Sequence, residues 1–374
     1  MGANQITQNN LKHRMKATLY VVEDPALLQN GIFFNESFYG MKNSAFMFSA
    51  LRNQLAAHGI DLATQDINRP EDSQLIIGLD NSLPFQNAAW RQDRKTYLVL
   101  SEPATYYPHN WDPANHKVFD KVFTYNYNLV DNERYFHYYF AIDLEENNLY
   151  RPVTEEEFES RKLCVLMAAS FGVVKPPQHS TSLLHERYLT LKWFAQNHPD
   201  EFDLYSRVIH PKTYESFRGL GILQKVAPAS FTAQIARLVS ARRKALFDIV
   251  NRGPVAHDQK IPVLRQYRFN VAYENTGGLP GYLTEKIFDS FAACCVPIYW
   301  GDPDVAKSVP EGCFIDRRNF RTHQELYRFL KGMNYSEYQQ YADAITAFVK
   351  GVEQEKFGSE SNARRISEVI LRDL

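Results

Sequence analysis

The stretch that decides the fold is RFNVAYENTGGLPGYLTEKIFDSFAACCVPIYWGDPDVAKSVPEGCFIDRRNF, residues 268–320. It opens with an apolar, β-prone run at 269–273, followed by a polar, glycine-rich turn at 274–281. A helical pattern covers 283–294, and a second apolar run follows at 296–300. Strand, loop, helix and strand in this order predict a parallel crossover unit. In such units ligands bind beyond the carboxyl ends of the strands, where the loop leads into the helix.

Composition places the chain among ordinary globular proteins. Its 374 residues suffice for two domains, and 44% hydrophobic with 23% charged residues is typical of a soluble protein. The net charge of −1 argues against a dedicated nucleic-acid binder. The four cysteines lack metal-ligand spacing, which favours reduced thiols in a cytoplasmic protein. The apolar run at 291–300 is too short to span a membrane, so we expect at most peripheral membrane contact.

Upstream of the quoted stretch, β-prone runs alternate with a helical pattern at 43–58. The runs are residues 17–22, 60–63, 75–79, 95–100 and 118–125. This alternation predicts an N-terminal, acceptor-binding α/β domain over 17–150 with a parallel sheet. Residues 1–16 are predicted to be a disordered lead-in.

A second α/β domain is predicted over 160–334, after an acidic, proline-containing crossing at 143–158. Its further elements are strands at 163–168 and 201–205, a helix at 182–197 and an amphipathic helix at 231–250. We predict C-terminal helices over 335–374 that pack back toward the N-terminal domain. Two such halves predict two Rossmann-like α/β domains facing a cleft, an architecture of many nucleotide-sugar transferases.

The first turn of the helix at 283–294 carries Glu285 and Lys286. The apolar stripe of this helix comprises Leu283, Ile287, Phe291 and Cys294. Both charged residues lie off that stripe. A lysine in the first turn is unfavourable for the helix dipole, so an anion is expected there. A diphosphate would be held by the free N–H groups and by the Lys286 ammonium. Helix physics alone favours the alternative, which is a solvated Glu–Lys pair.

Three segments of the stretch match a known signature in order. They are Tyr273-Glu274-Asn275-Thr276, Gly281-Tyr282-Leu283-Thr284-Glu285-Lys286 and Val296-Pro297-Ile298-Tyr299-Trp300-Gly301. Together they resemble the donor-binding signature of the α1,3/α1,4-fucosyltransferase family, and the bacterial members are the most similar in style. The match is specific because many positions agree in sequence order.

The resemblance implies a GT-B-type fold, GDP-fucose as donor substrate and inversion at the anomeric carbon. It implies that Lys286 neutralises the diphosphate and that Glu285 binds fucose hydroxyls. Tyr282 and Asn275 are expected to line the donor pocket. No tightly bound cofactor and no metal ion are required by this interpretation.

Two further donor residues are expected from the same resemblance. The family carries a diphosphate-binding arginine on the helix predicted at 182–197, which is Arg187 here. A guanidinium suits this role because it stays charged and can bond in bidentate fashion; an ion pair with Glu186 is the alternative. The family's Asp-apolar-Tyr-Gly turn, which contacts the nucleotide, is represented by Asp203-Leu204-Tyr205-Ser206. Tyr205 fits, whereas Ser206 replaces the glycine.

Glu102 is the catalytic candidate of the first half. It follows a predicted strand in Ser101-Glu102-Pro103, where the family carries its proposed general base. As general base it would take the proton from the acceptor hydroxyl during attack on the anomeric carbon. The alternative is a strand-end glutamate that caps the next turn.

The sequence thus predicts a fucosyltransferase that forms an α1,3 or α1,4 linkage to a glycan acceptor. There are two alternatives. One is transfer of another GDP-linked deoxyhexose, and the other is a non-catalytic glycan- or nucleotide-binding module. Acceptor choice is expected to depend on loops at 27–43 and 105–115. The region 211–250 departs from the family in length. The basic residues Arg242, Arg243 and Lys244 could dock on an anionic lipid surface or an acidic glycan, or form an ordinary solvated face.

Overall fold

A computed structural model describes residues 14–34, 46–80, 89, 93–143, 152–168, 171, 180–207 and 226–374, without the side chains of 352–354. The chain divides into two compact units. The first comprises Met1–Asp143, Pro280–Tyr282 and Gln354–Leu374, and the second comprises Leu144–Leu279 and Leu283–Glu353.

The first unit is built on a parallel sheet. Its strands are β1 (Met15–Tyr20), β2 (Ile60–Thr64), β3 (Leu75–Leu79), β4 (Lys95–Leu100), β5 (Lys121–Thr124) and β6 (Tyr135–His137). In the described part of the unit they run in the order β2-β1-β3-β4-β5-β6, and every pairing is parallel. Leu75, Ile76 and Ile77 of β3 are fully buried, as expected for a parallel sheet covered on both faces. All strands therefore end at one edge, where Glu102 follows β4.

Helices α1 (Phe46–Ala57), α2 (Pro113–His116) and α10 (Ser359–Asp373) belong to this unit. The last helix packs on α1, and its Asp373 accepts a hydrogen bond from the Tyr97 hydroxyl at 2.7 Å. The predicted C-terminal segment 335–374 is thus divided, because its first helix lies in the second unit and its last helix in the first.

The second unit contains another parallel sheet. Its strands are β7 (Lys162–Met167), β9 (Phe202–Tyr205), β10 (Tyr267–Tyr273), β12 (Val296–Trp300) and β13 (Ile315–Asp316). Their order is β13-β12-β10-β7-β9. Strands β10 and β12 pair in parallel, with Tyr273 opposite Trp300, so the predicted crossover unit is present. Two short strands, β8 (Thr181–Ser182) and β11 (Thr276–Gly277), form a separate antiparallel pair.

The α-helices of the second unit follow one another along the chain. They are α3 (Glu155–Ser160), α4 (Leu183–Asn197), α5 (Ala229–Val250), α6 (Lys260–Leu264), α7 (Glu285–Ala292), α8 (His323–Gly332) and α9 (Tyr335–Lys350). The predicted apolar stripe of α7 is buried. The helix begins at Glu285, two residues later than predicted, because Thr284 has an extended backbone and serves as the N-cap.

Other differences from the sequence prediction are local. Strand β1 begins at Met15, inside the predicted disordered lead-in, because Met15 and Lys16 pair with β2. The run predicted as a strand at 118–125 is shorter, and β6 was not predicted. Parts of five predicted segments lie outside the described residues. They are the lead-in up to 13, the loop at 27–43 from 35 onward, the helix at 43–58 up to 45, the crossing at 143–158 over 144–151 and the region 211–250 up to 225.

Candidate donor-binding site

Glu274 organises the carboxyl end of β10. Its main-chain N–H donates to the Trp300 carbonyl at 2.8 Å, and its side chain is completely buried. The carboxylate accepts hydrogen bonds from the Thr284 N–H at 2.9 Å and from the Thr284 hydroxyl at 2.6 Å. Burial raises the pKa of Glu274, although the nearby Lys286 ammonium opposes that shift. These bonds fasten the start of α7 to the end of β10.

Two glycines of the signature are required by the space around each of them. A Cβ on Gly301 would overlap with the Glu274 side chain and with the Tyr299 hydroxyl. Gly281 has a φ of 76°, in the left-handed region, and a Cβ there would overlap with the Tyr125 carbonyl of the first unit. The glycines of the signature therefore follow from close packing.

Lys286 lies in the first turn of α7 among acidic and hydroxyl groups. Its Nζ atom is 2.9 Å from Thr284 Oγ1, 3.2 Å from a Glu285 oxygen and 3.3 Å from a Glu274 oxygen. Burial would lower the pKa of Lys286, but the two carboxylates outweigh it and the pKa is raised. The ammonium therefore stays charged at neutral pH, with its side chain 21% exposed.

Glu285 is held as an anion. Burial would raise the pKa of Glu285, but the positive charges of Lys286 and Lys260 outweigh it and lower that pKa to about 2. Lys260, on α6, forms an ion pair with Asp289 one turn along α7. A charged acceptor with this stability can bind hydroxyl donors of a sugar.

Arg187 reaches the same end of β10 from α4. Arg187 is only 4% exposed. Its Nη2 atom donates to the Tyr273 carbonyl at 2.5 Å and to Asn275 Oδ1 at 3.0 Å. The guanidinium charge opposes the rise in the pKa of Lys286, so the two cations interact electrostatically. A pair of neighbouring cations favours a ligand that carries more than one negative charge.

The small β8–β11 ladder explains how a distant helix supplies this arginine. Thr276 pairs with Ser182, and the Leu183 N–H at the start of α4 donates to the Asn275 carbonyl at 3.1 Å. The first turn of α4 is thereby fixed beside the loop that follows β10. Arg187, Asn275, Glu285 and Lys286 are all brought together in the second unit.

Glu102 and Tyr282 both lie in the first unit. Tyr282 is 3% exposed, and its ring centroid is 5.3 Å from that of Tyr125 and 5.6 Å from that of Phe140. The Trp111 ring lies 5.3 Å from Tyr125, and its Nε1 donates to the Glu102 carbonyl at 3.3 Å. Two aromatic rings therefore connect the loop of Glu102 to the donor-signature tyrosine.

Tyr205 is placed apart from these residues. Its hydroxyl is 3.3 Å from the Tyr267 hydroxyl, and its ring packs on a buried cluster that includes Tyr267, Ala293 and Cys295. Tyr267 begins β10, whereas Arg187 bonds to the residue that ends it. These contacts do not support a donor-binding role for Tyr205, which stays a prediction.

Metal centres, membrane-spanning helices and disulfides are absent from the described residues. Within the ranges given above, no three His, Cys, Asp or Glu side chains lie together as metal ligands would. No helix in those ranges is long and apolar enough to cross a membrane. The four cysteines are buried and unbridged.

The fold is shared with solved glycosyltransferases. A crystal structure of an α1,3-fucosyltransferase with GDP-fucose matches with a TM-score of 0.52 and 16% identity, over 96% of this chain and 91% of that one. HepE of Anabaena, in complex with UDP and glucose, matches with a TM-score of 0.52 and 12% identity, over 96% of this chain and 100% of that one. The fold is therefore the GT-B fold, as predicted.

Sequence comparisons match part of the chain to a known family. Residues 242–356 match the model for glycosyltransferase family 10 (fucosyltransferase), C-terminal domain. The chain is 43% identical over 68 residues to α-(1,3)-fucosyltransferase FucT of Helicobacter pylori, over 18% of this chain and 14% of that protein. It is 33% identical over 102 residues to human α-(1,3)-fucosyltransferase 7, over 26% of this chain and 30% of that protein. The match to this family covers residues 242–356, and the resemblance to the α1,3/α1,4-fucosyltransferases is confirmed. The chain matches less than a third of the length of these two relatives.

Proposed function

We propose that this protein is an inverting fucosyltransferase that moves L-fucose from GDP-fucose to a hydroxyl of a glycan acceptor, in α1,3 or α1,4 linkage. The observation that carries the proposal is that Arg187 bonds to the end of β10 and interacts electrostatically with Lys286, which belongs to the donor signature inside the matched family region. The names of the relatives, and GDP-fucose in a structure of the same fold, support fucose as the sugar.

The donor is held by charge and by hydrogen bonds. The Arg187 guanidinium and the Lys286 ammonium neutralise the diphosphate. The diphosphate takes the place of part of the contact that Lys286 makes with the Glu274 and Glu285 carboxylates. The Glu285 carboxylate accepts hydrogen bonds from sugar hydroxyls, since it is anionic at neutral pH. Asn275 and Tyr282 form walls of the donor pocket.

Glu102 acts as general base. The acceptor oxygen forms a bond to the anomeric carbon, its proton passes to the Glu102 carboxylate, and the bond between that carbon and the diphosphate oxygen breaks. GDP departs with the electron pair, and Arg187 and Lys286 stabilise the negative charge that develops on it. No step of the proposal uses a metal ion, because two cationic side chains take the charge of the leaving group.

Glu102→Gln tests the catalytic part of the proposal. The amide has the shape of the carboxylate and cannot accept a proton at neutral pH, so transfer should fall by roughly 10²–10⁴-fold. GDP affinity, measured by calorimetry, should stay at the wild-type value. Glu133→Gln, at an exposed position of the first unit, is the matched control. Wild-type transfer by Glu102→Gln would end the base assignment, and failure of the wild-type protein to bind GDP would end the donor assignment.

We further propose a cytoplasmic location with peripheral contact to an anionic membrane through α5. Leu238 and Ile249 are exposed hydrophobic residues of this helix, at 63% and 48%, and Arg237 and Arg242 beside them are also exposed. Exposed apolar and basic side chains on one helix favour an anionic lipid interface. Phosphatidylserine vesicles should retain the protein in co-sedimentation, and Leu238→Glu should reduce that retention. Equal recovery in the supernatant with and without vesicles would indicate an ordinary solvated face.

A further inference from the structure

Asp80 stands directly after β3 and has an unusual backbone. Its φ is 56°, in the left-handed region that non-glycine residues seldom adopt, and its residue is 8% exposed. Its N–H donates to the Val99 carbonyl at 2.8 Å, on the neighbouring strand β4. Aspartate tolerates this conformation better than most residues, yet the conformation still costs about 1 kcal/mol or more. Such strain persists where the surrounding structure holds the residue in place.

The Asp80 carboxylate forms hydrogen bonds with the segment that contains Glu102. Its Oδ1 atom accepts from the Ser101 N–H at 2.8 Å, the Glu102 N–H at 3.1 Å and the Asn110 side-chain amide at 2.7 Å. Its Oδ2 atom accepts from the Ser101 hydroxyl at 2.6 Å. Burial raises the pKa of Asp80, and these four donors oppose that shift.

The other side of Glu102 is fixed through the same group. The Glu102 carbonyl accepts from the Asn110 amide at 3.2 Å and from Trp111 Nε1 at 3.3 Å. Asn110 is fully buried, and its own carbonyl bonds to His116 Nε2 at 2.8 Å. Both peptide groups of Glu102 are thus held, so the direction in which its half-buried side chain leaves the backbone is determined.

We infer that Asp80 is a positioning residue that aims the Glu102 carboxylate at the acceptor hydroxyl. The inference rests on the proposed role of Glu102 as general base. Asp80 acts through the backbone of Glu102 and contacts neither substrate. Proton transfer needs the base within hydrogen-bond distance of the reacting hydroxyl, and a displacement of about 1 Å can cost roughly 10²-fold in rate.

Asp80→Gly is the informative variant because glycine accepts a φ of 56° while removing the carboxylate. The kcat for transfer should fall about 10–100-fold, with GDP affinity unchanged. Asp80→Asn should keep most of the activity, since one amide oxygen can still accept the bonds made by Oδ1. Asp120→Asn is the control, because Asp120 accepts from the Thr96 N–H at 2.7 Å at the opposite end of β4, and its kcat should match wild type.

A double-mutant cycle separates positioning from a general structural role. In the Glu102→Gln background, Asp80→Gly should lower the residual transfer rate, followed in long incubations, by less than twofold. An equal loss in both backgrounds, or a kcat of Asp80→Gly close to wild type, would overturn the inference while the function proposed for Glu102 stood. Wild-type activity of Glu102→Gln would instead remove the base assignment and the inference with it.

Ser101→Ala covers the case in which Asp80→Gly does not fold. It removes only the hydroxyl bond to Asp80 Oδ2 and leaves the main-chain bonds in place. We expect a smaller fall in kcat, about 3–10-fold, at unchanged GDP affinity and unchanged far-ultraviolet circular dichroism. A kcat equal to wild type would contradict the inference.

Discussion

Replacing Lys286 by methionine should separate donor binding from folding. Methionine keeps the length and apolar stem of the side chain and removes the ammonium. A charge-assisted hydrogen bond contributes about 1.5–3 kcal/mol, so the Kd for GDP should rise roughly 10–150-fold. The loss should lie toward the upper end, because Arg187 then faces the diphosphate without its neighbouring cation.

The same change also lowers stability, and the structure indicates by how much. Glu274 is fully buried and loses its ion pair at 3.3 Å, while it keeps both hydrogen bonds from Thr284. Removing one partner of a buried pair costs about 3–5 kcal/mol, and the retained bonds favour the lower figure. Thermal unfolding should therefore show a lower Tm for Lys286→Met, and calorimetry must be performed below that transition.

Lys162→Met is the matched control for Lys286→Met. Lys162 pairs with Asp203 at 2.7 Å, and the Asp203 side chain is 3% exposed, so the control also takes an ammonium from a buried carboxylate of the second unit. It should lose stability and bind GDP as the wild type does. An unchanged Kd for Lys286→Met, or an equal loss of affinity in Lys162→Met, would refute the reasoning.

Two further predictions concern stability. Gly301→Ala should destabilise the fold by about 1–3 kcal/mol, because its Cβ would overlap with the buried Glu274 and Tyr299 side chains, and an unchanged denaturation midpoint would contradict that packing. Burial and the nearby Arg317 charge lower the pKa of His323 to about 4. The unfolded chain therefore binds a proton at higher pH than the folded chain does. The free energy of unfolding should fall as the pH drops from about 6.5 toward 4, by at most about 1.4 kcal/mol per pH unit. His323→Gln should flatten that part of the curve of unfolding free energy against pH, and an identical curve for the variant would argue against the shift.

Much of the fold could be predicted because its strands are long apolar runs. The runs at 75–79, 95–100 and 296–300 coincide with β3, β4 and β12, since a strand buried on both faces needs continuous apolar sequence. Strands β8 and β11 could not be predicted in this way. Each has two residues, and their pairing depends on contacts between distant parts of the chain.

The contacts of the candidate site could be predicted only where its residues are close in sequence. Glu285 and Lys286 share a motif, whereas the bond from Arg187 to Asn275 joins residues that only the folded chain brings together. Asp80 gave no signal, because its bonding partners lie 21 to 30 residues further along the chain.

The central claim is tested most directly by incubating the purified chain with GDP-fucose and a panel of glycan acceptors, and reading the product by NMR. The account predicts a fucosylated glycan whose anomeric configuration is inverted relative to the donor. A product with retained configuration, or transfer from another GDP-linked deoxyhexose but none from GDP-fucose, would contradict it.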